Sequence, residues 1–171
     1  RDINPGTASG LPFYPLHTFG NVLFFIGNDG TNGSELWRST GSEASTVLVK
    51  DINPGANGSS IDYFAGTSDA LFFQATDGTH GSELWRSNGT DANTYMVRDI
   101  YTAPNSGSSP RYLTVLNDRV YFSAYEDLHG YELWSSDGTF ANTELVGDIE
   151  PGTTGSNPNN LVATNDEVLF I

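Results

Sequence analysis

A ten-residue stretch, Gly81-Ser82-Glu83-Leu84-Trp85-Arg86-Ser87-Asn88-Gly89-Thr90, constrains this chain more than any other feature. It is preceded by Gly33-Ser34-Glu35-Leu36-Trp37-Arg38-Ser39-Thr40-Gly41 and followed by Gly130-Tyr131-Glu132-Leu133-Trp134-Ser135-Ser136-Asp137-Gly138-Thr139. All three tryptophans of the 171 residues lie in these copies, 48 and 49 residues apart. An Asp-Ile pair keeps the same step at Asp2, Asp51, Asp99 and Asp148. Three repeats therefore run over 2–50, 51–98 and 99–147, and part of a fourth covers 148–171. A chain with a period of this length builds one supersecondary unit per repeat and buries it against the next, as propellers and solenoids do.

The second repeat serves as the type. Ala70-Leu71-Phe72-Phe73-Gln74-Ala75 is dense in large apolar residues and reads as a strand, and Thr76 to Gly81 is a Gly-rich turn of the hairpin kind. Ser82–Arg86 is the next strand and Asn88 to Asp91 turns again. Thr94–Arg98 is the last strand, and Ile61–Gly66 supplies a short first one. Gly and Pro spacing leaves no window for a helix. The expectation is an all-β fold of four antiparallel strands per repeat, here a to d, each repeat one propeller-type blade. Blades packed face to face would bury both sides of the inner strands, which accounts for Leu23-Phe24-Phe25, Leu71-Phe72-Phe73 and Val120-Tyr121-Phe122 as unbroken apolar runs. An open β-solenoid is the alternative, although its coils are shorter. In the first repeat Leu11-Pro12-Phe13-Tyr14-Pro15 should shorten strand a. Three and a half blades do not close a ring, so the array is expected to be a segment of a longer propeller, with further blades or another subunit at its open edge.

The whole chain resembles the ELWxxDGT repeat family. Glu132-Leu133-Trp134-Ser135-Ser136-Asp137-Gly138-Thr139 matches the signature at every defined position, and the second copy differs by Asn88. The Leu-Phe-Phe strand and the Asp-Ile-x-Pro-Gly loop also match. The resemblance implies a propeller within a large secreted or surface protein, and it supplies no catalytic residue.

Charge narrows the partners. With 21 acidic and 7 basic side chains the net charge is −14, which disfavours nucleic acid, whose phosphates need clustered Lys and Arg. Cysteine is absent, which removes disulfides, Cys-ligated zinc and thiol chemistry. No apolar run approaches the roughly 18 residues of a membrane span.

Strand direction alone brings the b–c turns and the d–a loops to one end of each sheet. That rim should gather Asp29, Asp77 and Asp127 with Asp51, Asp99 and Asp148. Hard oxygen ligands in flexible loops suit Ca²⁺. Each Asp can equally hold its own turn through an Asx hydrogen bond, and both roles stay open. Glu35, Glu83 and Glu132 recur at one position two residues from Trp37, Trp85 and Trp134. A glycosidase needs two carboxylates converging in one pocket. Equivalent glutamates spread over successive blades instead, so a buried structural role is expected, and inter-blade core is expected for the tryptophans. Asn32, Asn57 and Asn88 open Asn-Gly-Ser/Thr sequons, which matter only in a glycosylating secretory system. Taken together, the expected function is a non-enzymatic extracellular or cell-surface structural or interaction module, with calcium as a stabiliser. A sugar-binding propeller and a glycan-active enzyme are the alternatives. The first would show exposed aromatics, and the second would need one blade that breaks the pattern.

Overall fold

The computed structural model describes residues 1–6, 10 and 16–171. The segment 11–15, expected to shorten the first strand, lies outside them. The chain is all-β, with one turn of 3₁₀-helix at Asp91–Asn93 and no α-helix among the described residues. None of its helices is long and apolar enough to cross a membrane.

Each full repeat forms one antiparallel meander. β1 (His17–Phe19), β2 (Val22–Asn28), β3 (Ser34–Ser39) and β4 (Val47–Lys50) make the first sheet in chain order. β5 (Asp62–Gly66), β6 (Leu71–Thr76), β7 (Ser82–Ser87) and β8 (Tyr95–Arg98) make the second. β9 (Arg111–Leu116), β10 (Arg119–Glu126), β11 (Gly130–Ser136) and β12 (Glu144–Gly147) make the third. The fourth repeat contributes the pair β13 (Val162–Ala163) and β14 (Val168–Leu169). Register repeats exactly where the sequence does: Phe25, Phe73 and Phe122 lie opposite Trp37, Trp85 and Trp134.

The apolar runs lack alternation because the sheets stack. In β6, Leu71, Phe73 and Ala75 join Phe24, Ile26 and Leu36 of the first sheet in one core, with Trp85 beside them. Phe72 points the other way and joins Val120, Phe122, Ala124 and Trp134 of the third sheet. Successive side chains of one strand face opposite sides, so a strand between two neighbours must be apolar at every step.

Strand a carries a repeated distortion. Ser60 and Tyr63, Ser109 and Tyr112, and Asn157 and Asn160 all have φ between 48° and 58°. Register slips beside them, between Asp62 and Ala65 in the second sheet and between Tyr121 and Ser123 in the third. A bulge recurring at the same place in the second and third sheets bends the strand as part of the architecture.

Candidate functional site

The conserved-looking letters of the repeat turn out to be a joint between repeats. Glu83 is wholly buried on β7 and accepts from the N–H groups of Ile100 (3.3 Å), Tyr101 (3.4 Å) and Ser108 (2.7 Å) and from the Ser108 hydroxyl (2.5 Å). These donors belong to the loop that leaves β8 and enters the next repeat. Glu35 accepts from Ile52 N (3.0 Å) and Asn53 N (3.4 Å), with the Ser59 hydroxyl beside it. Glu132 accepts from Glu150 N (3.2 Å), Ser156 N (2.8 Å) and Ser156 Oγ (2.6 Å). Each glutamate thus clasps its own crossing loop, and none is paired with a second carboxylate in a reaction pocket.

The loop partner is a second motif that sequence reasoning missed. Gly58-Ser59, Gly107-Ser108 and Gly155-Ser156 recur at 49 and 48 residues. The Ser supplies the donor, and the Gly lets the loop cross against the start of strand c. A Cβ at Gly58 would lie 2.9 Å from Ser34 N, and one on Gly155 would meet the backbone of Tyr131. A second missed signal is the basic residue before three of the Asp-Ile pairs. Arg1 donates to Thr46 O (2.8 Å), Lys50 to Asp91 O (3.3 Å) and Arg98 to Thr143 O (2.6 Å), each reaching the c–d turn of the following sheet. Arg1 and Arg98 also sit 5.8 and 5.9 Å above the rings of Trp37 and Trp134. The motif glycine closes the joint: Gly89 and Gly138 have φ near +89°, and a Cβ on either would meet Phe24 and Arg38 or Phe72 and Arg86 of the preceding sheet. The three tryptophans occupy like positions, 3 %, 6 % and 6 % exposed.

Burial pushes the carboxyls of Glu35 and Glu83 up to about 7 despite their donors. At Glu132 burial acts the same way, but the Ser156 hydroxyl and the backbone N–H groups outweigh it and hold the carboxyl below its ordinary value. The fourth repeat offers less protein around it. A folded pKa raised from 4.5 to about 7 adds stability that is whole below 4.5 and lost as pH rises through about 7. The depressed carboxyls of Glu132, Asp29 and Asp137 act oppositely, losing their contribution as pH falls. Stability should therefore be greatest in mildly acidic solution, with the melting temperature falling between about pH 4.5 and pH 7 at fixed ionic strength, the range bracketed by these values. Glu83→Gln should flatten that fall. A melting temperature that climbs across the same interval would refute the assignment.

At the rim, Asp29 Oδ1 accepts from Thr31 N (2.9 Å) and Asn32 N (2.8 Å), and its Oδ2 takes the Asn32 side-chain amide. Asp77 does the same with Thr79 N, His80 N and His80 Nδ1. The third copy differs from expectation. The residue in the Asp29 and Asp77 place is Glu126, which accepts from Leu128 N and pairs with His129, while exposed Asp127 lies one step further round. The strand pairing explains the shift: Tyr125 faces Tyr131 as Thr76 faces Ser82, which makes Glu126 the equivalent of Asp77, and in the third sheet the pairing runs one step further, to Glu126 and Gly130. Asp51 and Asp99 each keep one buried oxygen, Oδ1, without a hydrogen-bond partner, and Asp148 is exposed. Among the described residues no three His, Cys, Asp or Glu side chains are grouped to hold a metal ion. Asn57 and Asn88 are exposed; Asn32 is half-buried with its amide engaged at Asp29.

No family model matches the sequence, and no curated protein does. The fold is similar to that of a puromycin hydrolase mutant complexed with PGG, at a TM-score of 0.54 and 13 % sequence identity. The match covers 87 % of this chain and 23 % of that one, so the chain spans about a quarter of its length. At this identity the likeness speaks for the fold alone, and a known protein shares its succession of antiparallel sheets.

Proposed function

We propose that the chain is a non-enzymatic interaction module of a secreted or surface protein, built of ELWxxDGT repeats that continue as propeller blades. One observation carries the proposal: in the second and third repeats the buried Glu, Trp and Gly are spent on joining one repeat to another. Val49 and Val97 are 5 % and 4 % exposed under the next sheet, whereas their equivalent Val146 is 51 % exposed, and Ile149 is 50 % exposed against 3 % at Ile52. A further four-stranded repeat, supplied by the same polypeptide or by another subunit, is the occupant this face is built for. The chain should associate at micromolar concentration in analytical ultracentrifugation, and Ile149→Asp with Leu169→Asp should abolish it. Strict monomers at high concentration would count against an interaction face.

Calcium fits Asp29 and Asp77 poorly, because their oxygens are occupied by their own turns. The unpartnered Oδ1 atoms of Asp51 and Asp99 fit it better, and a calcium ion there would need further oxygens to complete a shell of about six to eight. The proposed effect is a melting temperature that rises with calcium, more than with magnesium, as expected for an ion bound only by the folded state. Asp99→Asn should blunt it while Asp77→Asn leaves it intact. Indifference to both calcium and chelator would remove the ion from the account.

A further inference from the structure

The third repeat breaks the pattern at its rim. Tyr101, Tyr125 and Tyr131 stand where the second repeat has Asn53, Thr76 and Ser82, and Arg111 stands where it has Asp62. The first repeat agrees with the second at three of these places, with Asn4, Asn28 and Ser34 all small and polar. The four departures come from four separate segments, yet the fold brings them into one stack. The rings of Tyr101 and Tyr125 meet edge to face at 5.0 Å, and those of Tyr125 and Tyr131 at 5.3 Å. The Arg111 guanidinium lies 3.8 Å from the centre of the Tyr131 ring. All four side chains are half-buried.

The architecture does not need these rings, since sister repeats close the same end with Asn, Thr and Ser. Arg111 is also unlike most of the other cations. Lys50, Arg86 and Arg119 each have a carboxylate partner and Arg1 and Arg98 a backbone carbonyl, whereas Arg111, like Arg38, has neither among the described residues. Stacking fixes its fork and leaves the N–H groups at its edge free to donate. The exposed Asp127 carboxylate lies beside the Tyr101 phenol and supplies acceptors. Next along the chain, Tyr112 packs on Tyr63 at 5.8 Å and carries aromatic surface to the second sheet.

A rigid aromatic surface flanked by a donor and an acceptor suits a ligand with an apolar face and hydroxyls that both give and take hydrogen bonds. A pyranose ring has that chemistry, and the net charge of −14 works against an anionic ligand. We propose that the rim of the third repeat binds uncharged pyranose units of a glycan, the Tyr125–Tyr131 stack meeting the sugar face and Arg111 and Asp127 its hydroxyls. This goes beyond the role in joining repeats and does not depend on it.

Calorimetric titration with maltohexaose, cellohexaose and mannohexaose as neutral probes, and hexagalacturonate as the acidic one, tests the site. At least one neutral hexasaccharide should bind, with a dissociation constant on the order of 10–1000 μM, and Tyr131→Ser should weaken it by roughly tenfold. Because Ser34 and Ser82 occupy the same place in the sister sheets, Tyr131→Ser should keep the wild-type melting temperature. Should it not, the ultraviolet difference spectrum of tyrosine in the wild-type chain, perturbed by the neutral sugar, gives a second readout. Failure of every neutral probe at millimolar concentration would overturn the proposal, as would binding indifferent to Tyr131→Ser with an unperturbed tyrosine spectrum, or a preference for hexagalacturonate.

Discussion

Glu83→Ala is expected to destabilise the chain by about 3–5 kcal/mol in urea denaturation, the cost typical of leaving buried polar partners of a charged group uncompensated. The substitution would strand three backbone N–H groups and the Ser108 hydroxyl, all now bound to one carboxyl. Water cannot reach them easily, because Ser108 is itself buried. Glu83→Gln should cost less, since one acceptor oxygen survives, although its amide N–H₂ would face donors. Ser108→Ala should fall between wild type and Glu83→Ala, because it removes one donor and leaves the carboxyl bound by three. A loss under about 1 kcal/mol for Glu83→Ala would show that the crossing loop holds without its clasp. The loop is also the only covalent route from one repeat to the next, so its release should lower the cooperativity of unfolding along with the midpoint.

Strands and their order were legible because a repeated sequence must repeat its register. The Leu-Phe-Phe runs announced two-sided burial, and one Trp per repeat announced a shared position. What stayed hidden depended on contacts across the period. Gly58-Ser59, Gly107-Ser108 and Gly155-Ser156 look like ordinary loop residues until the buried glutamate opposite them is known. Arg1, Lys50 and Arg98 were visible as a period of basic residues in an acidic chain, but nothing local says that they reach the following turn. Asp127 misled because matching by residue type skipped Glu126, where a one-residue offset inside the hairpin decides which carboxylate caps it. The bulge in strand a left no mark at all, since Tyr63 and Tyr112 are poor candidates for positive φ by type.

Trp85→Ala should cost about 3–5 kcal/mol, the range for truncating a buried aromatic between packed sheets. The indole lies in the core formed by Phe24, Ile26 and Leu36 of the first sheet with Leu71 and Phe73 of its own. It is 6 % exposed, so little of its face is open to any ligand. Trp85→Phe separates shape from polarity. Its Nε1 is buried without a hydrogen-bond partner, as is that of Trp134, so phenylalanine removes an unsatisfied donor while vacating part of the volume. The two effects oppose each other, and the net loss should stay near or below about 1.5 kcal/mol. A tryptophan serving as a surface platform would give a different ranking. There alanine and phenylalanine would both leave the urea midpoint almost unmoved, since an exposed ring contributes little to folding. A large alanine effect with a small phenylalanine effect is the signature of a ring that glues sheet to sheet, and a flat response to both would expel Trp85 from the core.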